Sequence, residues 1–472
     1  MDYDVIVVGG GITGAGILRD CALRGLKALL VERASPGNAT TAASTHLIHG
    51  GLRYLLYDRL TTHATAWDAG HIAAIAGPLL RRLPILWPLY REHGHGPETV
   101  ETLLEVYDDF QAMKGGLPHL RLGAAETLRL VPALRPDGLL GAVSFDEWWV
   151  DPVALVERNL EAARACGAVV RTHTRVTGLI VEDGAVRGVR CSAQDGKLSE
   201  ARAGVVINAA GPWAAEVSRM GSVEVPLILR RGTHLVYDRR LVETALILEA
   251  ADRERIVFVI PFENGGPGAA VPEGASVSPL AGRGGTLIGP TDVKQAGGPD
   301  TTAPDDAEVR YLLDSVRRWL PNVSLEGHRS MAGARPLLDQ GGGEKLLSRE
   351  FEICDHAAAG VAGFLTVAGG KMSDFRLMAK EAVDAACAKL GNQEPCLTHR
   401  QTLDGRPIPV RPPVPGPSRP LAKFLRRHPR LREGYAYAHL AVAFLKHLLR
   451  LAVSGKQEVT ADDFRRHYSL KP

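Results

Sequence analysis

Gly9-x-Gly11-x-x-Gly14 follows directly on the apolar run Val5-Ile6-Val7-Val8 and is answered by Glu32 at the end of a second run, Leu29-Leu30-Val31. An amphipathic stretch from Ile17 to Arg24 and then Gly25 stand between them. Strand, tight turn, helix, turn, strand and acid in that order predict a βαβ unit with parallel strands, which commits the start of the chain to an α/β sheet. The glycines let the backbone turn sharply and approach a pyrophosphate, which rests on the amides of the following helix N-terminus. Glu32 is then placed to accept hydrogen bonds from ribose hydroxyls. The unit predicts a bound dinucleotide and leaves open whether it is FAD or NAD.

The 472-residue chain has room for two or three domains, and its 45% hydrophobic and 23% charged residues are those of a soluble globular protein. A net charge of +3 provides no global field for nucleic acid, so none is expected as a partner. The cysteines (Cys21, Cys166, Cys191, Cys354, Cys387, Cys396) contain no C-x-x-C pair, so neither a zinc nor an iron-sulfur site is expected and a reducing compartment fits best. The sequence opens on a charged residue and a strand, without room for a secretory signal, so a cytoplasmic location is expected. No apolar stretch reads as the ~20 residues of a spanning helix. Ala438 to Val453 comes nearest and is interrupted by Lys446, His447 and Arg450, which leaves a peripheral contact with the inner face of the cytoplasmic membrane as the expectation.

Further along, small and hydroxyl residues from Gly37 to Thr45 lead into Leu47-Ile48-His49-Gly50-Gly51-Leu52-Arg53-Tyr54, where a backbone could run flat against a large planar ligand. Residues 60–135 read as helices joined at Pro78, Pro84 and Pro88, an insertion away from the first sheet. A helix is expected from Asp151-Pro152 to Cys166, then strands at Val169-Val170-Arg171 and from Leu179 to Val189, and a buried strand from Val205 that ends at Asn208-Ala209-Ala210-Gly211-Pro212-Trp213. Period-two strands at Leu227–Arg230, His234–Tyr237, Ile256–Pro261 and Thr286–Gly289 predict an antiparallel sheet, with Glu263 to Gly285 as a mobile loop. A late strand, Gly363 to Ala368, ends at Gly369-Gly370-Lys371 before a helix from Ser373 to Leu390. That second polar cradle suits the negative charge of a reduced flavin's pyrimidine edge and weighs towards FAD.

The expected architecture is therefore α/β: a Rossmann-like FAD-binding domain with a parallel sheet, assembled from 1–75, 150–215 and 335–400, and an α+β substrate cap with an antiparallel sheet from 76–149 and 216–334. A Pro-rich linker, 405–420, leads to a small basic helical appendage, 421–472. Its excess of Arg and Lys suits either a solvated capping face or contact with anionic lipid or an electron-accepting partner.

Taken in order, Ile6 to Gly16, Leu47 to Leu55, Asn208 to Trp213, Gly333-Ala334-Arg335-Pro336-Leu337 and Gly369-Gly370-Lys371-Met372 resemble the successive signatures of FAD-dependent glycerol-3-phosphate dehydrogenases, within the D-amino-acid-oxidase-like flavoproteins. The I-H-G-G-L-R-Y-L block is the most discriminating, and the order agrees over residues 1 to about 400. The resemblance implies oxidation of sn-glycerol 3-phosphate to dihydroxyacetone phosphate, with electrons passed to a quinone or a partner protein; a homo-oligomer, as a dimer, is the expected assembly. It implies cofactor contacts from Gly9, Gly11, Ile12, Thr13 and Gly14, from Glu32 and Arg33, and along the small-residue segment from Thr40, Thr41, Ser44, His46, Leu47, His49 and Gly50. Val176, Ala209, Gly211 and Trp213, then Gly370, Lys371 and Met372, complete that set.

For a phosphorylated substrate the dianion needs planar arginine forks, and Arg53 and Arg335 fall in motifs the family uses near the substrate, with Tyr54 as a hydroxyl donor. His234 sits where the family places a substrate-facing histidine and suits a general base, while Lys371 would put positive charge beside the flavin or the developing alkoxide. His234, Lys371 and Arg335 are thus the expected catalytic residues. Departures cluster nearby: Ser373-Asp374 stands where the family has two threonines, Pro290 where a threonine is usual, and His46 where a lysine is common. If Asp374 faced the phosphate it would repel it. Other readings are a related oxidoreductase or oxidase acting on another small anionic hydroxy acid, amine or sugar phosphate, or a flavin-binding scaffold without turnover.

Overall fold

The computed structural model describes residues 2–56, 58–263, 284–339, 351–410, 421, 424, 425 and 428–470, without the side chains of Arg53 and Pro429. Most of the expected mobile loop between Glu263 and Gly285, and most of the proline-dense linker, lie outside those residues.

The first two apolar runs, Tyr3–Val8 and Ala28–Val31, lie side by side at the centre of a sheet, with Val5 opposite both Ala28 and Val205. Its order is Phe351–Asp355, Phe364–Gly369, Leu198–Asn208, Tyr3–Val8, Ala28–Val31, Val169–Arg171, parallel throughout except for the first strand. Val5 and Val7 pack on one face against the helices Ile12–Leu23, Pro152–Ala165 and Phe375–Leu390, while Ile6 and Val8 pack on the other against the ribbon Thr174–Glu182 and Ala185–Ala193. Burial on both faces explains why these strands are continuous apolar runs. Each such side chain contributes roughly 1.5–3 kcal/mol by leaving water. The Asp151-Pro152 start is used as expected, the Asp151 carboxylate accepting from the amides of Val153 and Ala154.

A larger, mainly antiparallel sheet stands against the first. Among the described residues its order is Val293–Lys294, Leu227–Tyr237, Gly285–Gly289, Ile256–Phe262, Ala245–Glu249, Leu80–Tyr90, Leu139–Val150, Arg121–Gly123, Glu458–Val459, with Arg329–Leu338 also on Leu227–Tyr237 and Leu47–Ile48 also on Leu139–Val150. Three sequence expectations change here. The region expected to be all helix contains Leu80–Tyr90, an eleven-residue strand running through Pro84 and Pro88. These prolines are four residues apart and turn their nitrogens to the same side of the strand, so the missing donors fall on one edge. The only described pairing with Ala245–Glu249 is at Ile85 and Leu86, between them.

Secondly, the strand carrying Arg335, Arg329–Leu338, runs the length of Leu227–Tyr237 and belongs to this second sheet. The chain therefore returns to the first sheet later than position 335. Thirdly, the tail is not a separate appendage. Glu458–Val459 adds to Arg121–Gly123, and a short helix, Ala461–His467, opened by a Thr460/Asp463 capping box, buries Phe464 and, just after it, Tyr468 in the second sheet's core. Before these, Pro429–Ser454 is a long helix whose Arg430–Ser454 part is, by length and composition, long and apolar enough to cross a membrane, against the sequence expectation of an interrupted stretch.

Candidate active site

A cavity of about 1560 Å³ is lined from both sheets. It exceeds the roughly 300–1,000 Å³ of an ordinary small-molecule site and so has room for a dinucleotide with a second ligand. The fingerprint forms one part of its wall. A Cβ at Gly9 (φ +108°) would stand 2.7 Å from the Ala209 carbonyl oxygen, and one at Gly14 would run into the Gly9 carbonyl, so strand, turn and helix approach only as glycines. The helix that follows has Gly11 as its N-cap, no side-chain cap and no acidic residue in its first turn. That end is left for an anion. Glu32 accepts from the Gly10 amide at 2.6 Å and the Ala34 amide at 2.7 Å, which fixes its carboxylate in the wall. Arg33 lies over the Trp213 ring at 3.9 Å, and both donate to Asp300 at 3.0 Å. These residues fit the nucleotide half of FAD.

Thr13, Thr40, Thr41, Ser44, Leu47 and His49 line the same cavity, as do Val176, Ala209, Gly211, Gly370, Lys371 and Met372. Thr41 Oγ1 accepts from the Ile12 amide at 3.3 Å, and Thr40 Oγ1 donates to the Ala334 carbonyl at 2.6 Å, tying the segment to both sheets. Gly14, His46 and Gly50 stand behind the wall. His46 is fully buried in the left-handed region (φ +59°), with Nε2 3.1 Å from the Ala42 carbonyl. Gly50 abuts Tyr107, and its amide donates to Glu147 at 3.2 Å. Arg53 lies in the 3₁₀ turn Leu52–Leu56, and its side chain is outside the description.

The second sheet brings the chemistry. His234 lines the cavity although only 1% exposed, and its Nε2 is 3.0 Å from Thr45 Oγ1. Burial, reinforced by Arg335 and His46, holds its pKa well below the ordinary imidazole value, so the ring is neutral at pH 7. Gly289 (φ +149°) makes room for it: a Cβ there would stand 2.6 Å from His234 Cδ2. Arg335 also reaches the cavity, its guanidinium lying across Gly232, where any side chain would collide with it. Nη2 donates to the Thr291 carbonyl at 3.1 Å, and Nη1 lies 3.4 Å from Asp292 Oδ1. Asp292 is held in turn by Arg230 at 2.6 Å.

From the first sheet's side come Lys371 and, beneath it, Tyr54, whose ring centroid is 4.8 Å from Lys371 Nζ. Asp374, the acid beside the expected phosphate site, does not line the cavity. It is buried and pairs with Lys371 Nζ at 2.5 Å. Ser373 Oγ accepts from the His49 amide at 3.0 Å. The departures at 373 and 374 thus place no free carboxylate against a bound phosphate. Pro290 lines the cavity, and the Thr291 hydroxyl is used within the fold, bonding Glu308 and the Thr233 amide.

Other features carry little signal in the sequence. Thr45 lies in the small-residue run, but only sheet packing shows that it meets His234. Lys114 is fully buried, with Nζ 2.6 Å from Glu147 Oε2, and Tyr107 donates to Glu147 Oε1 at 2.6 Å. Glu147 is in the cavity wall and holds the Gly50 amide, and its only sequence signal is an Asp-Glu pair before two tryptophans. Breaking a buried pair of this kind costs about 3–5 kcal/mol.

Buried neutral histidines also predict an acid limit to stability. Burial lowers His46 from 6.5 to about 4, and His234 moves the same way. Because protons then bind the unfolded chain more tightly, this stability is complete above about pH 6.5 and is lost as pH falls towards 4, with His46 alone accounting for a loss on the order of 2 kcal/mol by pH 5. Asp68, raised by burial to about 6, opposes the trend over part of the same window. The thermal midpoint should drop between pH 7 and 5, and a His46→Gln variant should show a shallower drop.

A parallel sheet with a glycine fingerprint, facing an antiparallel sheet that brings a neutral histidine and an arginine to the same cavity, defines a flavin-dependent oxidoreductase. The model of the family described as FAD dependent oxidoreductase matches residues 4–374. The aerobic glycerol-3-phosphate dehydrogenase of Staphylococcus haemolyticus is 31% identical over 402 residues, 82% of this chain and 68% of that protein. One chain of the anaerobic glycerol-3-phosphate dehydrogenase of Escherichia coli is 31% identical over 425 residues, 86% of this chain and 71% of its own length. Among solved structures, the FAD complex of the Bacillus halodurans glycerol-3-phosphate dehydrogenase superposes with a TM-score of 0.66 at 24% identity, covering 99% of this chain and 80% of that one. The chain belongs to the FAD dependent oxidoreductase family, among its glycerol-3-phosphate dehydrogenases, and FAD is its cofactor.

Proposed function

We propose that this protein oxidises sn-glycerol 3-phosphate to dihydroxyacetone phosphate and passes the electrons to a quinone or an electron-transfer protein. The observation that carries the reading is the convergence of His234, Arg335 and Lys371 on the cavity lined by the dinucleotide fingerprint. FAD, when bound, supplies a two-electron acceptor for hydride from the substrate carbinol carbon. The protein's own residues do the rest. Arg335, anchored by Asp292 and the Thr291 carbonyl, presents a fixed fork to the phosphate. His234, neutral at pH 7, takes the hydroxyl proton at the edge where Thr45 now stands, and Lys371 stabilises the negative charge that develops on that oxygen. Dye-linked turnover should be found with glycerol 3-phosphate and be absent with glycerol, which lacks the phosphate for the Arg335 fork. Equal rates with both would remove the basis of the reading.

We also propose that helix Pro429–Ser454 rests on a membrane surface. Its underside is fixed to the body by His447 and Arg450, both bonded to Glu105 at 2.9 and 2.7 Å. Its outer side exposes Val442, Leu445, Leu449 and Val453, while Tyr437, Leu440, Ala441 and Phe444 line the cavity. A lipophilic acceptor could therefore pass from a bilayer to the flavin along one helix. Since Phe464 and Tyr468 are buried in the core, point changes test this better than truncation. A Leu445→Glu/Leu449→Glu variant should retain FAD yet lose most sedimentation with anionic vesicles, and undiminished sedimentation would argue against the contact.

A further inference from the structure

Asp374 closes the turn that follows Gly369-Gly370-Lys371, and its placement gives the acid a purpose. Its Oδ2 lies 2.5 Å from Lys371 Nζ, with the two side chains 7% and 11% exposed. Its own amide donates to the Lys371 carbonyl at 3.0 Å, so the 3₁₀ turn Met372–Asp374 fixes carboxylate and ammonium together. Lys371 lines the cavity and Asp374 does not, so the carboxylate approaches the ammonium from within the fold. Behind the pair, Asp68 bonds the Arg376 guanidinium and accepts the Leu377 amide at 3.1 Å, closing a buried set of two acids and two cations. In such low-dielectric surroundings opposite charges hold firmly, and a cation that loses its partner moves towards a more polar setting. For Lys371 that setting is the cavity.

We propose that Asp374 is a positioning residue for Lys371. It holds the ammonium at the start of helix Phe375–Leu390 and keeps part of its charge from the flavin's pyrimidine edge, making the oxidised flavin a weaker electron acceptor than the Gly369-Gly370-Lys371 turn alone would. The inference rests on FAD as the cofactor and is independent of the substrate.

The test uses FAD-loaded protein without glycerol phosphate. Sulfite adds reversibly to oxidised flavin, more tightly when positive charge stands at the pyrimidine edge, and the midpoint potential rises with the same charge. Asp374→Asn should bind sulfite on the order of tenfold more tightly, the size of one charge interaction in a partly buried site, and raise the potential. Asp374→Thr, a second neutral substitution of different shape, should do the same and guards against a packing effect of asparagine. In a Lys371→Met background the Asp374→Asn effect should fall to within about threefold. Unchanged sulfite affinity and potential in both single variants would overturn the proposal. So would an Asp374→Asn effect of full size without Lys371, since the carboxylate would then act on the flavin directly.

Discussion

Arg335→Ala should raise the KM for glycerol 3-phosphate on the order of a hundredfold while the protein retains its FAD. The expectation follows from where the guanidinium is held. Gly232 leaves the space it crosses, the Thr291 carbonyl accepts from Nη2 at 3.1 Å, and Asp292, already engaged by Arg230, steadies Nη1 at 3.4 Å. A fork fixed in this way meets a phosphate at little further entropic cost. Removing one partner of a desolvated, hydrogen-bonded charge pair typically costs about 2–5 kcal/mol, and each 1.4 kcal/mol is tenfold in affinity. Arg335→Lys should recover only part of the loss, because an ammonium keeps the charge and not the fork. Steady-state kinetics with flavin absorbance on the same preparation make the comparison. A parallel loss of FAD and substrate affinity would assign Arg335 to the sheet rather than to the substrate.

His234→Ala is expected to lower kcat by roughly 10²–10⁴, the usual range for a positioned general base, with a much smaller change in KM. The pH profile carries the sharper signature. Burial and the neighbouring Arg335 hold the His234 pKa well below 6.5, so the working neutral ring persists at mildly acid pH. Activity should fall only as pH drops below that ordinary value, because the proton then occupies the site that must accept one. The variant should lose this acid limb together with its rate. If it kept both, the base would lie elsewhere.

The flavin-binding sheet is largely legible in the chain, and the second sheet much less so. Val5 to Val8, Leu29 to Val31 and Val205 to Ile207 are apolar without alternation because both faces of their sheet are covered, a pattern visible without any partner. Leu80–Tyr90 escapes a local reading because Pro84 and Pro88 argue against a strand, and only the pairing geometry shows that their missing donors fall on one edge. Arg335 stands out by its motif, but its place on the second sheet depends on ten residue pairs with Leu227–Tyr237 that no local signal announces. The same limit applies to the site. Motifs lead to His234, Lys371 and Glu32. The Thr45 contact, the room made by Gly232 and Gly289, and the burial of Lys114 against Glu147 arise only when distant segments meet. Asp374 shows the converse: its sequence position suggests repulsion of substrate, and its ion pair with Lys371 removes that reading.

Direct hydride transfer from one substrate to FAD within this cavity is tested by an anaerobic single turnover. FAD-loaded protein mixed with sn-glycerol 3-phosphate in the absence of any acceptor should bleach its flavin fully and yield one dihydroxyacetone phosphate per flavin, more slowly when the substrate carries deuterium at C2. A flavin that stays oxidised, or that bleaches at a rate indifferent to deuterium at C2 when reduction itself is rate-limiting, would exclude direct hydride transfer from this substrate.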